Sequence, residues 1–181
     1  MSLILSGNSG SLTVDSTAGI TFPNGSNPQA APSKVLQVVQ GSLTGQATTA
    51  SSTAVTTGLT VSITPLFSTS KILCICQLSV PYIQWNTGTA QGGFALYRNG
   101  SNIGQSGSKP LFWEGYINSS SNGGVLQIGG GAFTYLDSPA TTSSTTYAVY
   151  FYLAQGGGTT NNININSDGQ TSYIQLLEIA Q

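Results

Sequence analysis

The residues able to do chemistry are few, and their scarcity narrows the choices. The 181 residues include no histidine, which removes the commonest general base and the commonest metal ligand. No Ser–His–Asp or Cys–His nucleophile can be assembled. The acids are Asp15, Glu114, Asp137, Asp168 and Glu178. Glycoside hydrolysis needs two carboxyl groups that converge on one bond, and nothing in the sequence signals such a pair. Asp15 lies among the short strand-like pieces of residues 1–33, and Glu178 stands between Leu177 and Ile179, where a structural role fits better. We expect no catalytic residues. Asn164, Asn166 and Asp168 in NINSDG lack the leading acids and distal glutamate of a calcium loop, so the segment reads as a turn. Cys74 and Cys76 share one face of a strand and read as small buried hydrophobes, with no further soft ligand to complete a metal site. No metal and no cofactor are expected.

The chemistry that remains is recognition. Trp85 and Asn86 lie in VPYIQWNTGTAQGG (Val80–Gly93), and Tyr116 and Asn118 in FWEGYINSSSNGG (Phe112–Gly124). Aromatic faces beside amides and hydroxyls can hold a sugar without charge. The glycine run in QGGGTTNN (Gln155–Asn162) has no Walker lysine and reads as a loop.

Composition bounds the partners. Charged residues make up 5% of the chain, against about 25% in an average soluble domain. Solubility must therefore come from Ser, Thr, Asn, Gln and Gly. The net charge is −1 and the cations Lys34, Lys71, Arg98 and Lys109 are scattered. No field steers the protein to nucleic acid or to anionic lipid, and no apolar run approaches the roughly 20 residues that span a bilayer. The start, MSLILSGNSG, lacks a basic n-region and reads as no secretory signal. The expectation is a protein that stays in the cell or leaves it inside an assembled particle.

The elements that must position these residues are strands. Apolar residues alternate or form short runs between Gly, Asn, Ser and Pro breakers. Residues 1–33 hold three brief strand-like pieces too short to bury a core alone, closed by Pro23–Gly25 and followed by a proline-containing connector. Residues 34–181 read as one domain of about eight strands. Strand segments are expected at Val35–Gln40, Leu59–Pro65, Ser70–Val80, Pro110–Ile117, Gly124–Gly130, Ala132–Asp137, Thr145–Ala154 and Thr171–Gln181, with Gly41–Thr53 a polar loop. Asn99-Gly100 marks a hairpin within Gly93–Gln105. This pattern implies an all-β, two-sheet sandwich. The strand Thr145–Ala154 carries Tyr147, Val149, Phe151 and Leu153 on one face, and Ala148, Tyr150 and Tyr152 on the other. A sandwich buries one face of each sheet, so the second aromatic face is expected to need a cover, most simply another copy of the chain.

The run SLTVDSTAGITFPNGSNPQAA (Ser11–Ala31) resembles a segment that recurs in bacteriophage tail-fibre and head-fibre proteins, with its TFPNG turn at Thr21–Gly25. FALYRNGSNIG (Phe94–Gly104), TTYAVYFYL (Thr145–Leu153) and the final strand around Tyr173–Ala180 resemble the receptor-binding tip domains of such fibres. The resemblance implies a non-enzymatic homotrimer with a jelly-roll C-terminal domain of the tumour-necrosis-factor-like kind. Residues 1–33 would join a stalk and other fibre, tail or capsid proteins. Tyr147, Tyr150 and Tyr152 would lie in the trimer interface. Trp85, Asn86, Tyr116 and Asn118 would face a glycan or protein of the bacterial host. Such a protein folds in the host cytoplasm, belongs to the virion and leaves by lysis. A purely structural capsid or tail decoration protein is the alternative, and a glycan-degrading fibre a further one.

Overall fold

The computed structural model describes residues 34–85, 88–104, 116–119, 124–127, 131–156 and 161–181. The expectations for residues 1–33 lie outside them. The described chain is all-β. Its strands are β1 (Val35–Thr44), β2 (Ala47–Thr49), β3 (Val55–Ile63), β4 (Lys71–Leu78), β5 (Tyr82–Trp85), β6 (Gly88–Arg98), β7 (Ser101–Asn102), β8 (Tyr116–Ser119), β9 (Gly124–Gln127), β10 (Gly131–Asp137), β11 (Thr145–Gly156), β12 (Asn162–Ile165) and β13 (Thr171–Ile179). A single 3-10 turn, Ser167–Gly169, separates β12 from β13.

All the strand pairs are antiparallel. One sheet has the order β1-β13-β4-β10 and another the order β2-β12-β5-β9. The second order is the first continued along the chain, because β1 runs on to β2, β4 to β5, β9 to β10 and β12 to β13. The two form an upper and a lower half of one long four-stranded layer. The remaining sheet is β3-β11-β6-β7, with β8 also paired to β6. Between the layers lies one apolar core. It joins Ile72, Cys74, Cys76, Ile174 and Leu176 of the upper half, Ile83, Ile163 and Ile165 of the lower half, and Leu59, Leu96, Tyr147, Val149 and Phe151 of the facing sheet. This is a β-sandwich, and β3, β4, β10 and β13 turn alternate residues to its interior.

The expected strands are present with shifted bounds, except that Pro110–Ile117 lies mostly outside the described residues. The hairpin turns at Asn99 (φ 48°) and Gly100 (φ 80°), two left-handed residues as a tight type I′ turn requires. The stretch expected as a polar loop, Gly41–Thr53, instead holds the end of β1 and all of β2. β5 and β12 also fall in segments read as loops. Their polar residues alternate with Ile83, Ile163 and Ile165, which point into the core.

Polar links cross the sandwich where it is driest. Asp137 of β10, 6% exposed, accepts hydrogen bonds from Arg98 of β6 (3.0 and 2.8 Å) and from the Tyr147 hydroxyl of β11 (2.6 Å). A buried carboxylate is tolerated only with such partners. Burial, and then the bond to Asp137, push the Tyr147 hydroxyl far above its ordinary pKa. Burial likewise raises the pKa of both free thiols, Cys74 and Cys76, which are core side chains.

β1 crosses close over β3 at Gly41, where a side chain would meet the Thr60 carbonyl and Val61. Gly41→Val should therefore overpack the interior and cost about 1–3 kcal/mol, read as a lower urea midpoint. An unchanged midpoint would show that the layers are free to part there.

Candidate functional site

Alternation decides what the long layer shows to solvent. Because Ile72, Cys74 and Cys76 of β4 point inward, Leu73, Ile75 and Gln77 point outward. The register then sets out cross-strand rows on this outer face. Val38, Leu177, Leu73 and Leu136 form one row across all the strands of the upper half. Its ends are open, with Val38 57% and Leu136 51% exposed. The next row, Gln40–Gln175–Ile75–Thr134, opens an amide ladder in which Gln175 Nε2 donates to Gln40 Oε1 (2.7 Å). Below it come Ser42, Tyr173, Gln77 and Ala132. The face thus grades from apolar at one end to amide and hydroxyl.

The strands of the layer break at one level, and left-handed backbone gathers there. Gly45 (φ 94°) separates β1 from β2, and Val80 (φ 44°) separates β4 from β5. Asn166 (φ 59°), Asp168 (φ 62°) and Gly169 (φ 73°) separate β12 from β13. A β-branched residue at positive φ is a true outlier and costs of the order of 1–3 kcal/mol. The break is stitched by hydrogen bonds, one of them fully buried and the others half-buried. Asn166 Nδ2 donates to the Leu43 carbonyl (2.7 Å), its Oδ1 accepts from Ser172 Oγ (2.6 Å), and its N–H donates to the Ser79 carbonyl (2.8 Å). Ser79 N–H in turn donates to Ser172 Oγ (2.9 Å), and Ser79 Oγ to the Thr171 carbonyl (2.6 Å).

Beside this stitch, on the outer face of the lower half, lies a cleft of about 390 Å³ lined by Val80, Tyr82, Gln84, Val125, Ser167 and Asp168. The register places Gln84 opposite Val125 of β9 and Asn162 of β12. The Tyr82 hydroxyl accepts from Gln46 Nε2 (2.8 Å), which also reaches Asn164 Oδ1 (3.2 Å); Asn164 Nδ2 donates to Asn162 Oδ1. An amide chain therefore fixes the wall that carries Tyr82. Asp168 stands on the 3-10 turn, exposed at the rim.

The residues singled out from the sequence are placed otherwise. Trp85 packs its ring against the core, and its Nε1 is buried without a partner, so its indole is not the open sugar platform expected. Tyr116 and Asn118 lie in β8, opposite Gln91 and Thr89, with side chains outside the described residues, as is the whole of Asn86. Tyr147 is a correction: it is fully buried in its own chain's core and has no surface left for another copy. Tyr150 and Tyr152 do lie on the outer face, half-buried, and Tyr150 is already stacked on Tyr97 (centroids 3.8 Å apart, planes at 14°). Among the described acids, Asp137 is engaged by Arg98 and Tyr147, and Glu178 by the loop before β4. Glu114 and Asp15 lie outside the described residues. No group of three His, Cys, Asp or Glu that could hold a metal ion occurs among the described residues.

The features missed from sequence had a signal. YIQW and NINI alternate at period two, as strands with a polar outer face do, and KILCICQL is apolar on both faces. No protein-family model matches the chain, and no curated protein matches it either.

Glu178 is fully buried. Gln37 Nε2 donates to its Oε2 (2.6 Å), and the Leu66 and Phe67 N–H groups donate to its Oε1 (2.8 and 3.3 Å). Burial works against its charge, but these hydrogen bonds outweigh it and hold the carboxyl below the ordinary 4.5. The stability this contributes is present above that ordinary value and lost as pH falls through the folded one. Glu178→Gln should flatten the acid limb of stability below about pH 5. At pH 7 it should cost about 1–3 kcal/mol, because the amide nitrogen would face N–H donors. Urea midpoints of both proteins from pH 7 to 3 test this; parallel acid limbs would remove Glu178 from the account.

Proposed function

We propose that the chain is a non-enzymatic bacteriophage fibre or tip protein that forms a homotrimer and adheres to the surface of a bacterial host. The observation that carries the reading is the exposed row Val38–Leu177–Leu73–Leu136. In a chain this polar, a straight apolar row across a whole sheet face asks for a cover, and an identical chain is the simplest one. In this reading the trimer seam runs along this row rather than along the Tyr147 strand.

The strand order supports a jelly-roll. Counted as eight long strands, with β1–β2, β4–β5, β7–β8, β9–β10 and β12–β13 each taken as one, the long layer runs first, eighth, third, sixth. The facing sheet runs second, seventh, fourth, fifth. That is the order of two interlocked Greek keys. The resemblance of Ser11–Ala31 to fibre segments supports residues 1–33 as the attachment to other virion proteins. In this reading the protein folds in the host cytoplasm, leaves in the virion on lysis, and multiplies weak contacts by presenting three identical copies.

Light scattering during size-exclusion chromatography should give the mass of three chains of 18.6 kDa. Val38→Lys combined with Leu136→Lys should give a monomer with an unchanged far-ultraviolet circular dichroism spectrum. A wild-type monomer at micromolar concentration would overturn the trimer. A trimer untouched by the double variant would move the seam elsewhere.

A further inference from the structure

We propose that the cleft at the break of the long layer is a sugar subsite that takes a single neutral pyranose ring. The inference deepens the adhesion reading and rests on it only for the sugar's source on a cell surface.

Three observations converge on the place. The first is size: about 390 Å³ lies at the small end of ligand sites, which run from roughly 300 to 1,000 Å³. The second is the lining. A pyranose has apolar C–H faces and a rim of hydroxyls. Val80, Val125 and the Tyr82 ring offer apolar surface, while Gln84, Ser167 and Asp168 offer amide, hydroxyl and carboxylate groups. The Asp168 carboxylate can accept from two hydroxyls, and the Gln84 amide can donate and accept at once. The third is strain. Val80 and Asp168, two of the five non-glycine residues at positive φ among the described residues, line this cleft, and a third, Asn166, adjoins it. Backbone strain held in place by its surroundings clusters at ligand sites, and the hydrogen bonds of Asn166, Ser79 and Ser172 hold this one.

The lining argues against the other ligand classes. Among the described residues that line it, Asp168 is the only charged one, so a phosphate or a sialic-type anion would meet no cation among them. A divalent metal would find one carboxylate.

Saturation-transfer NMR on the full-length protein tests the assignment. The probes are the methyl glycosides of glucose, galactose, mannose, rhamnose and N-acetylglucosamine at millimolar concentration. At least one should receive saturation on its ring protons. Asp168→Gly, which suits a positive φ and leaves the fold intact, should weaken that binding at least tenfold, as should Gln84→Ala. Absence of saturation from all five probes would overturn the subsite. So would binding that both variants leave unchanged. The two readings separate cleanly. A trimer that binds none of the probes sinks the cleft alone, whereas a monomer that binds one in an Asp168-dependent way keeps the cleft and loses the fibre.

Discussion

Asn166 has no exposed surface, so it must find its hydrogen-bond partners within the chain. It does so by joining segments at the level where the long layer breaks: the end of β1 through Leu43, the end of β4 through Ser79 and the start of β13 through Ser172. Without this stitch, Gly45, Val80 and the Ser167–Gly169 turn would be three independent interruptions. With it, they are one break in a single sheet. The upper half keeps its register and its apolar row. The lower half is re-aimed, and the cleft opens beside the seam. A half-satisfied network at this depth would be worse than an apolar core, so the geometry on both sides depends on those few bonds.

Scarcity of charge shapes the rest of the molecule. Arg98 and Asp137 join the two layers, with the Tyr147 hydroxyl completing the carboxylate's shell. Glu178 spends its charge on backbone N–H groups and so fixes the loop that carries Leu66 and Phe67. Both acids are structural cement. Asp168, on the rim of the cleft, is left to face outward. The surface elsewhere is hydroxyl and amide, which makes an exposed apolar row more conspicuous than it would be on an ordinary protein.

Several features were legible along the chain. The alternation of apolar residues between Gly, Asn, Ser and Pro breakers is a local property, and it determined an all-β sandwich. Asn99-Gly100 determined its hairpin because a two-residue turn with both φ positive leaves few other choices. The segment Ser70–Val80 was legible as a strand, although what lies over each of its faces was not.

Which face of a strand meets which partner is decided only by long-range register. Tyr147 and Tyr150 stand three residues apart in one aromatic run, yet one is core and hydrogen-bonded to Asp137, while the other is outside on Tyr97. Val38, Leu73, Leu136 and Leu177 are unremarkable in sequence and become a row only when four distant strands align. Tyr82, Gln84 and Asp168 read as loop residues because short polar strands look like loops until a neighbour supplies their hydrogen bonds. Composition and period are carried by neighbouring residues and so belong to the sequence. Rows, breaks and clefts are carried by pairing across most of the chain, and only the tertiary structure could decide them.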